Sequence, residues 1–267
     1  MWCYRNLTKV AGRGSSTGRH GASRDDPTPL GWIVLLIGLI LGSEAQAIPS
    51  FSGIVAFGDS YSDSGNIGRS TEAENWLEFM AADLEIAGGL RPSLSGGTNY
   101  SMGTATARGS GAFDFSSQMR NYSLSSSVAD PDALYIIWIG FNDIQESRDI
   151  LDPGLFADEI VGHIELGIQS IWNAGGRHFL IPNAWDITTT PVSLFRDQEV
   201  NENHVDLHSL FNESLEAMVG TFPETVRVLD AFELSNRGGT FVYFGFVIPF
   251  IHKHLFVFKR APSTPNE

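Results

Sequence analysis

From Gly53 onward the apolar positions of this chain fall into two alternating patterns, short strand-like runs and longer stripes at helical spacing. Strand-like runs, some interrupted by a polar residue, predict strands over Gly53–Phe57, Asn99–Met102, Ala133–Ile139, Arg177–Ile181 and Val226–Leu229. Ala133-Leu-Tyr-Ile-Ile-Trp-Ile139 is apolar at every position, as a central strand covered on both faces would be. The stripes predict helices. Asn75–Leu84 spaces Trp76, Leu77, Phe79, Met80 and Leu84 along one side, and Leu155–Trp172 lines up Phe156, Ile160, Ile164, Ile168 and Ile171 before the stop at Gly175-Gly176. Val205–Val219 repeats the pattern with Leu207, Leu210, Phe211, Leu215 and Met218. Strands alternating with helices in this way predict an α/β fold, a parallel sheet wrapped by helices. The stripes read as core.

One apolar run breaks the pattern. Leu30–Gly42 follows a basic segment and precedes Ser43-Glu44-Ala45-Gln46-Ala47, so residues 1–47 read as a secretory signal or targeting segment with cleavage near Ala47. The run is shorter than the ~20 residues of a comfortable membrane span, and no stable span is expected. The basic stretch before it is long for a signal, which leaves a retained anchor as the alternative. The sole cysteine, Cys3, falls in this segment, so the remainder has no thiolate nucleophile, disulfide framework or cysteine metal site. That usage fits bacterial export, to the periplasm or the medium. The net charge of −14 sharpens after Ala47, where 12 basic residues face 28 acidic ones, and it disfavours nucleic acid and anionic lipid as partners.

The candidate chemistry sits where apolar runs end. Gly53-Ile-Val-Ala-Phe-Gly-Asp-Ser-Tyr-Ser-Asp-Ser-Gly-Asn66 places Ser60 at the carboxyl end of a predicted buried strand, where α/β folds present reactive groups. A serine hydroxyl there needs a base to take its proton and donors aimed at the developing oxyanion. Asn99-Tyr-Ser-Met-Gly-Thr-Ala105 offers a backbone amide at Gly103, and Ile139-Gly-Phe-Asn-Asp143 offers the side-chain amide of Asn142 directly after the central strand. Each of these segments, taken singly, is also an ordinary strand-ending turn.

Together the three segments resemble the first three sequence blocks of the GDSL (SGNH) serine esterases and lipases. The likeness continues through Asp130-Pro-Asp-Ala-Leu134, Ile181-Pro-Asn183, Asn203 and Tyr243-Phe-Gly-Phe246, and so covers about Phe51 to Phe246. It implies a three-layer α/β/α sandwich with a central parallel sheet of flavodoxin-like kind. It also implies Ser60 as nucleophile, and Gly103 and Asn142, with the Ser60 amide, as the oxyanion hole. No metal or organic cofactor is implied. Asp59 is expected to shape the turn rather than to serve as an acid.

The resemblance fails at one place. The family draws its acid and base from an Asp-x-x-His block near the carboxyl end, and neither Asp-x-x-His nor Glu-x-x-His occurs in this chain. Asp206-Leu-His208 has the wrong spacing and reads as a solvated helix face. His252 and His254 lie in an apolar, basic tail without a nearby carboxylate, and read as incidental. The domain plan is therefore a targeting segment 1–47, a hydrolase domain 48–246 lacking its last block through truncation or a frameshift, and an atypical tail 247–267. The expected function is a secreted lipase or esterase working through an acyl-enzyme. The alternatives are a carbohydrate O-deacetylase of the same fold and a catalytically impaired, non-enzymatic relative. The acid and base, the acyl and leaving groups, and the oligomeric state are left open.

Overall fold

The computed structural model describes residues 50–147, 150–186 and 198–237, with backbone only at 198–205 and 235–237. Four strands, β1 (Ile54–Gly58), β2 (Leu134–Trp138), β3 (His178–Pro182) and β4 (Val226–Leu229), form a parallel sheet in the order β1-β2-β3-β4. Around them stand α1 (Trp76–Asp83), α2 (Phe115–Ser125), α3 (Phe141–Glu146), α4 (Pro153–Ala174), α5 (Gln198–Val219) and α6 (Ala231–Arg237).

Strand side chains divide by parity between two apolar layers. Val55, Phe57, Tyr135, Ile137, Phe179 and Ile181 meet α2, α4 and α5 through residues such as Phe115, Ile160, Ile164 and Phe211. Ile54, Ala56, Leu134, Ile136 and Leu180 face the other way, onto Trp76, Leu77 and Met80 of α1, with Leu234 of α6 beside them. The α/β/α sandwich expected from the sequence is thus present.

Asn99–Met102 departs from expectation. It is an irregular segment rather than a regular strand, held to the free side of β1 by one parallel bridge, Ala56 to Asn99. The N–H of Ala56 donates to the Thr98 carbonyl (3.0 Å), that of Tyr100 to Ala56 (2.7 Å) and that of Met102 to Gly58 (3.1 Å). Counted as the second strand in chain order, it makes the arrangement 2-1-3-4-5, the flavodoxin-like order. The chain then turns outward in opposite directions on either side of β1. In open parallel sheets ligands bind at such a switch point, beyond the carboxyl ends of the strands.

Local signals explain the helix ends. Asn75 caps α1 with a capping box: its side chain accepts from the N–H groups of Leu77 (3.1 Å) and Glu78 (3.2 Å), while Glu78 accepts from the Asn75 N–H (2.8 Å). Asp152 caps α4 ahead of Pro153. Among the described residues no helix is long and apolar enough to cross a membrane.

Candidate active site

β1 ends against β2 at closer range than a side chain would allow. A Cβ on Gly58 would lie 2.5 Å from the Trp138 carbonyl oxygen, so glycine lets the Ser60 loop leave the sheet against the end of β2. The buried Gln118 of α2 holds this point: its Oε1 accepts from the Gly58 N–H (2.9 Å) and its Nε2 donates to the Gly58 carbonyl (2.8 Å). Asp59 then closes the turn, its carboxylate accepting from the Tyr61 N–H (3.0 Å) and its carbonyl from those of Ser62 (3.1 Å) and Asp63 (3.0 Å). Ser60 is the residue this turn displays. Of the three serines in the run, Ser62 is 0% exposed and Ser64 3%, whereas Ser60 is half-buried and open to solvent.

Asp63 ties the Ser60 loop to the second segment. Its carboxylate accepts from the N–H groups of Gly65 (2.8 Å), Asn66 (2.6 Å), Ile67 (3.3 Å) and Gly103 (3.0 Å). Asn66 donates to the carbonyls of Asn99 and Ser101 (both 2.8 Å), and Asn99 donates to Ser62 (2.7 Å) and to the Ser64 hydroxyl (2.8 Å). The N–H of Gly103, an expected oxyanion donor, is therefore directed at Asp63. Thr104 follows with φ +64°, and the Ala105 N–H closes the turn onto Met102 (3.2 Å).

The third segment begins where β2 stops. Gly140 has φ +112°, and a Cβ there would meet Ile160 at 3.0 Å and Phe211 at 3.1 Å, so only glycine fits the bend that starts α3. Asn142, on the first turn of α3, donates from Nδ2 to the Ala105 carbonyl (2.8 Å). An amide NH2 carries two hydrogens, and the other remains for a ligand. Asp143 accepts from the N–H groups of Ala107 (2.7 Å) and Arg108 (3.1 Å), bolting α3 to the second segment. Aromatic rings set the remaining spacing: Tyr61 lies edge-to-face with Phe141 (5.2 Å between centroids) and with Trp185 (5.4 Å), and stacks on Trp138 (5.7 Å). Ser60 and Gly103, on two loops, and Asn142, on the first turn of α3, thus stand beyond the same rim of the sheet, on segments hydrogen-bonded or packed to one another.

The polar ground under this rim is electrostatically costly. Burial pushes the Asp59 carboxyl up to about 7, against the hydrogen bond from the Tyr61 N–H and with the charge of Asp143 adding to the rise. Burial also raises Asp143, opposed by its bonds from Ala107 and Arg108. A carboxyl that holds its proton more tightly folded than unfolded stabilises the fold fully below the unfolded value near 3.8, and that contribution fades as pH climbs through about 7. Asp59→Asn keeps the acceptor for Tyr61 and removes the charge. It is expected to add on the order of 2 kcal/mol at pH 8 and little at pH 4, so that melting temperatures across that range converge on the wild type only at the acid end.

Histidines are placed less simply. His208 corrects the sequence reading: it is 2% exposed and packs edge-on to Phe141 (5.7 Å), because α5 turns this side toward α3 rather than toward solvent. His178 opens β3, at the rim opposite Ser60, and packs on Phe51. Among the described residues no group hydrogen-bonds the Ser60 hydroxyl. His252, His254 and Tyr243–Phe246 lie outside the described residues. Gln118, Asp63, Asn66 and Asp143, which build the site, carried no role in the sequence reading; Asp63 and Asn66 stood inside the quoted run, while Gln118 gave no local signal.

Comparison with known proteins places the chain in a family. Lipase 1 of Photorhabdus luminescens is 31% identical over 172 residues, a match covering 60% of this chain and 26% of that protein, so the chain spans about a quarter of its relative's length. A crystal structure of a member of the lipolytic G-D-S-L family from Veillonella parvula DSM 2008 matches with a TM-score of 0.50 at 18% identity, covering 78% of this chain and 99% of the other, and shows the same fold. Residues 54–256, containing β1 to β4 and all three site segments, match the family described as GDSL-like Lipase/Acylhydrolase, and the chain belongs to that family.

Proposed function

We propose that this chain is an exported ester hydrolase in which Ser60 is the nucleophile. The Ser60 Oγ attacks the ester carbonyl carbon and gives up its proton to a base. The carbonyl oxygen becomes an oxyanion, the alcohol leaves with a proton, and water then hydrolyses the acyl-serine to release the acid and restore the hydroxyl. The oxyanion is held by the Ser60 amide, by the second amide hydrogen of Asn142, and by the Gly103 N–H as a three-centre bond shared with Asp63. The base is left unassigned. Support for export comes from Leu30–Ala47, with its apolar run and Ala-x-Ala end.

The observation that carries this reading is the link between loops: Asn142 reaches Ala105 while Gly103 reaches Asp63, three residues beyond Ser60. A fluorophosphonate probe tests it, since an activated serine oxygen displaces its fluoride to form a stable phosphonyl ester. Mass mapping is expected to find the adduct on the peptide carrying Ser60. An adduct on another serine, or none, removes Ser60 from the mechanism.

A further inference from the structure

Thr104 is where the two sides of the site meet. The residue before it is tied to the Ser60 loop through the Gly103–Asp63 bond, and the residue after it is tied to α3 through the Ala105–Asn142 bond. Between those ties Thr104 is exposed and adopts φ +64°. A β-branched residue in the left-handed region is an outlier, because its Cβ crowds the backbone where glycine would relax. Among the described residues its side chain makes no hydrogen bond that would offset the strain. Strain without local compensation points to a task performed outside the fold. Thr104 directly follows Gly103 and directly precedes the carbonyl that Asn142 reaches, so a substrate held by those two donors is the partner this strain implies.

We propose that Thr104 is a specificity-determining residue: its branched side chain, thrust outward by the strained turn, walls the mouth of the site and limits the group that can lie over the Gly103 turn. This rests on the reading of Ser60 as nucleophile. The wall acts by shape, so a side chain of the same outline reproduces it and glycine removes it. Glycine also relaxes the backbone.

The test compares wild type, Thr104→Gly, Thr104→Val and Ser60→Ala in the full chain. Hydrolysis is followed with p-nitrophenyl octanoate against acetate, and with 2-naphthyl acetate against methyl acetate, so that both the acyl and the alcohol side are sampled. Thr104→Gly is expected to raise the bulky-to-small ratio about tenfold on one of the two sides, the scale on which small changes in a pocket discriminate. It is also expected to raise Tm by about 2–4 °C through relief of strain. Thr104→Val is expected to keep the wild-type ratio within about twofold. Activity that disappears in Ser60→Ala while Thr104→Gly leaves both ratios unchanged overturns the wall and spares the nucleophile. A Thr104→Val variant that behaves like Thr104→Gly also overturns it, since outline would then not be the cause. Hydrolysis that survives Ser60→Ala, or a wild type inert toward all four esters, overturns the nucleophile and the wall with it.

Discussion

Ser60→Ala is expected to lower ester hydrolysis by at least about a thousandfold, with Tm within about 2 °C of the wild type. The two halves of this expectation come from separate observations. In the proposed reaction the hydroxyl oxygen forms the acyl bond, so without it what remains is binding and oxyanion stabilisation acting on water. Its removal costs the fold little, because Ser60 is half-buried and no described residue hydrogen-bonds its side chain. Such surface changes move stability by about 0.5 kcal/mol or less. The neighbouring serines cannot substitute, being enclosed: Ser62 is wholly buried and the Ser64 hydroxyl accepts from Asn99. Initial rates and a melting curve on the same preparation check both halves. Hydrolysis within a factor of two of the wild type would exclude Ser60 as the nucleophile.

Much of this architecture was written in local pattern. β2 lies where an unbroken apolar run placed it, since a strand buried on both faces needs no alternation. The stripe Ile160, Ile164, Ile168 and Ile171 faces the sheet as its spacing required. α2 escaped because its apolar positions are few: Phe115 and Tyr122 turn inward among serines, and much of the helix's contribution is polar, through Gln118. Asn99–Met102 misled for a related reason. Its backbone accompanies β1 as a strand would, yet Asn99 spends its side chain on Ser62 and Ser64 rather than on an apolar layer. His208 reads as solvated by residue type, yet it stands three and seven positions before Phe211 and Leu215, on the very stripe that the spacing marks as core. The loops carrying Ser60, Gly103 and Asn142 were legible as strand ends. What joins them was not, since a bond such as Gly103 to Asp63 spans 40 positions and has no periodicity to betray it.

Polar groups rather than apolar ones therefore give the rim its shape. Asp59, Asp63, Asn99 and Asp143 are all buried beneath it. Each accepts from or donates to backbone groups of loops that would otherwise leave those groups unsatisfied, and a buried unsatisfied amide costs about 1–3 kcal/mol. The three carboxyl groups among them also lie below the site where the proposed reaction develops an oxyanion. Donors above the rim have to outweigh that field locally, and the raised Asp59 carboxyl reduces it by being partly protonated near neutrality.

Asn142 is the side chain on which that balance turns. Asn142→Ala is expected to reduce kcat by about 10²–10³-fold with KM nearly unchanged, because the amide meets the oxygen only when it carries charge. The same substitution removes the bond to the Ala105 carbonyl, a loss of about 1 kcal/mol that a melting curve will show. A purely structural role would give the stability loss and a rise in KM without a matching fall in kcat. Asn142→Asp separates the two roles further. The carboxylate keeps the outline but places negative charge beside the oxyanion and beside Asp143, one position on along α3. Its kcat is therefore expected below that of the alanine variant at pH 8, and to recover toward it as acid protonates the new carboxyl. If Asn142→Asp is instead the more active variant at pH 8, the amide is not the group that receives the charge, and the oxyanion lies elsewhere on the rim.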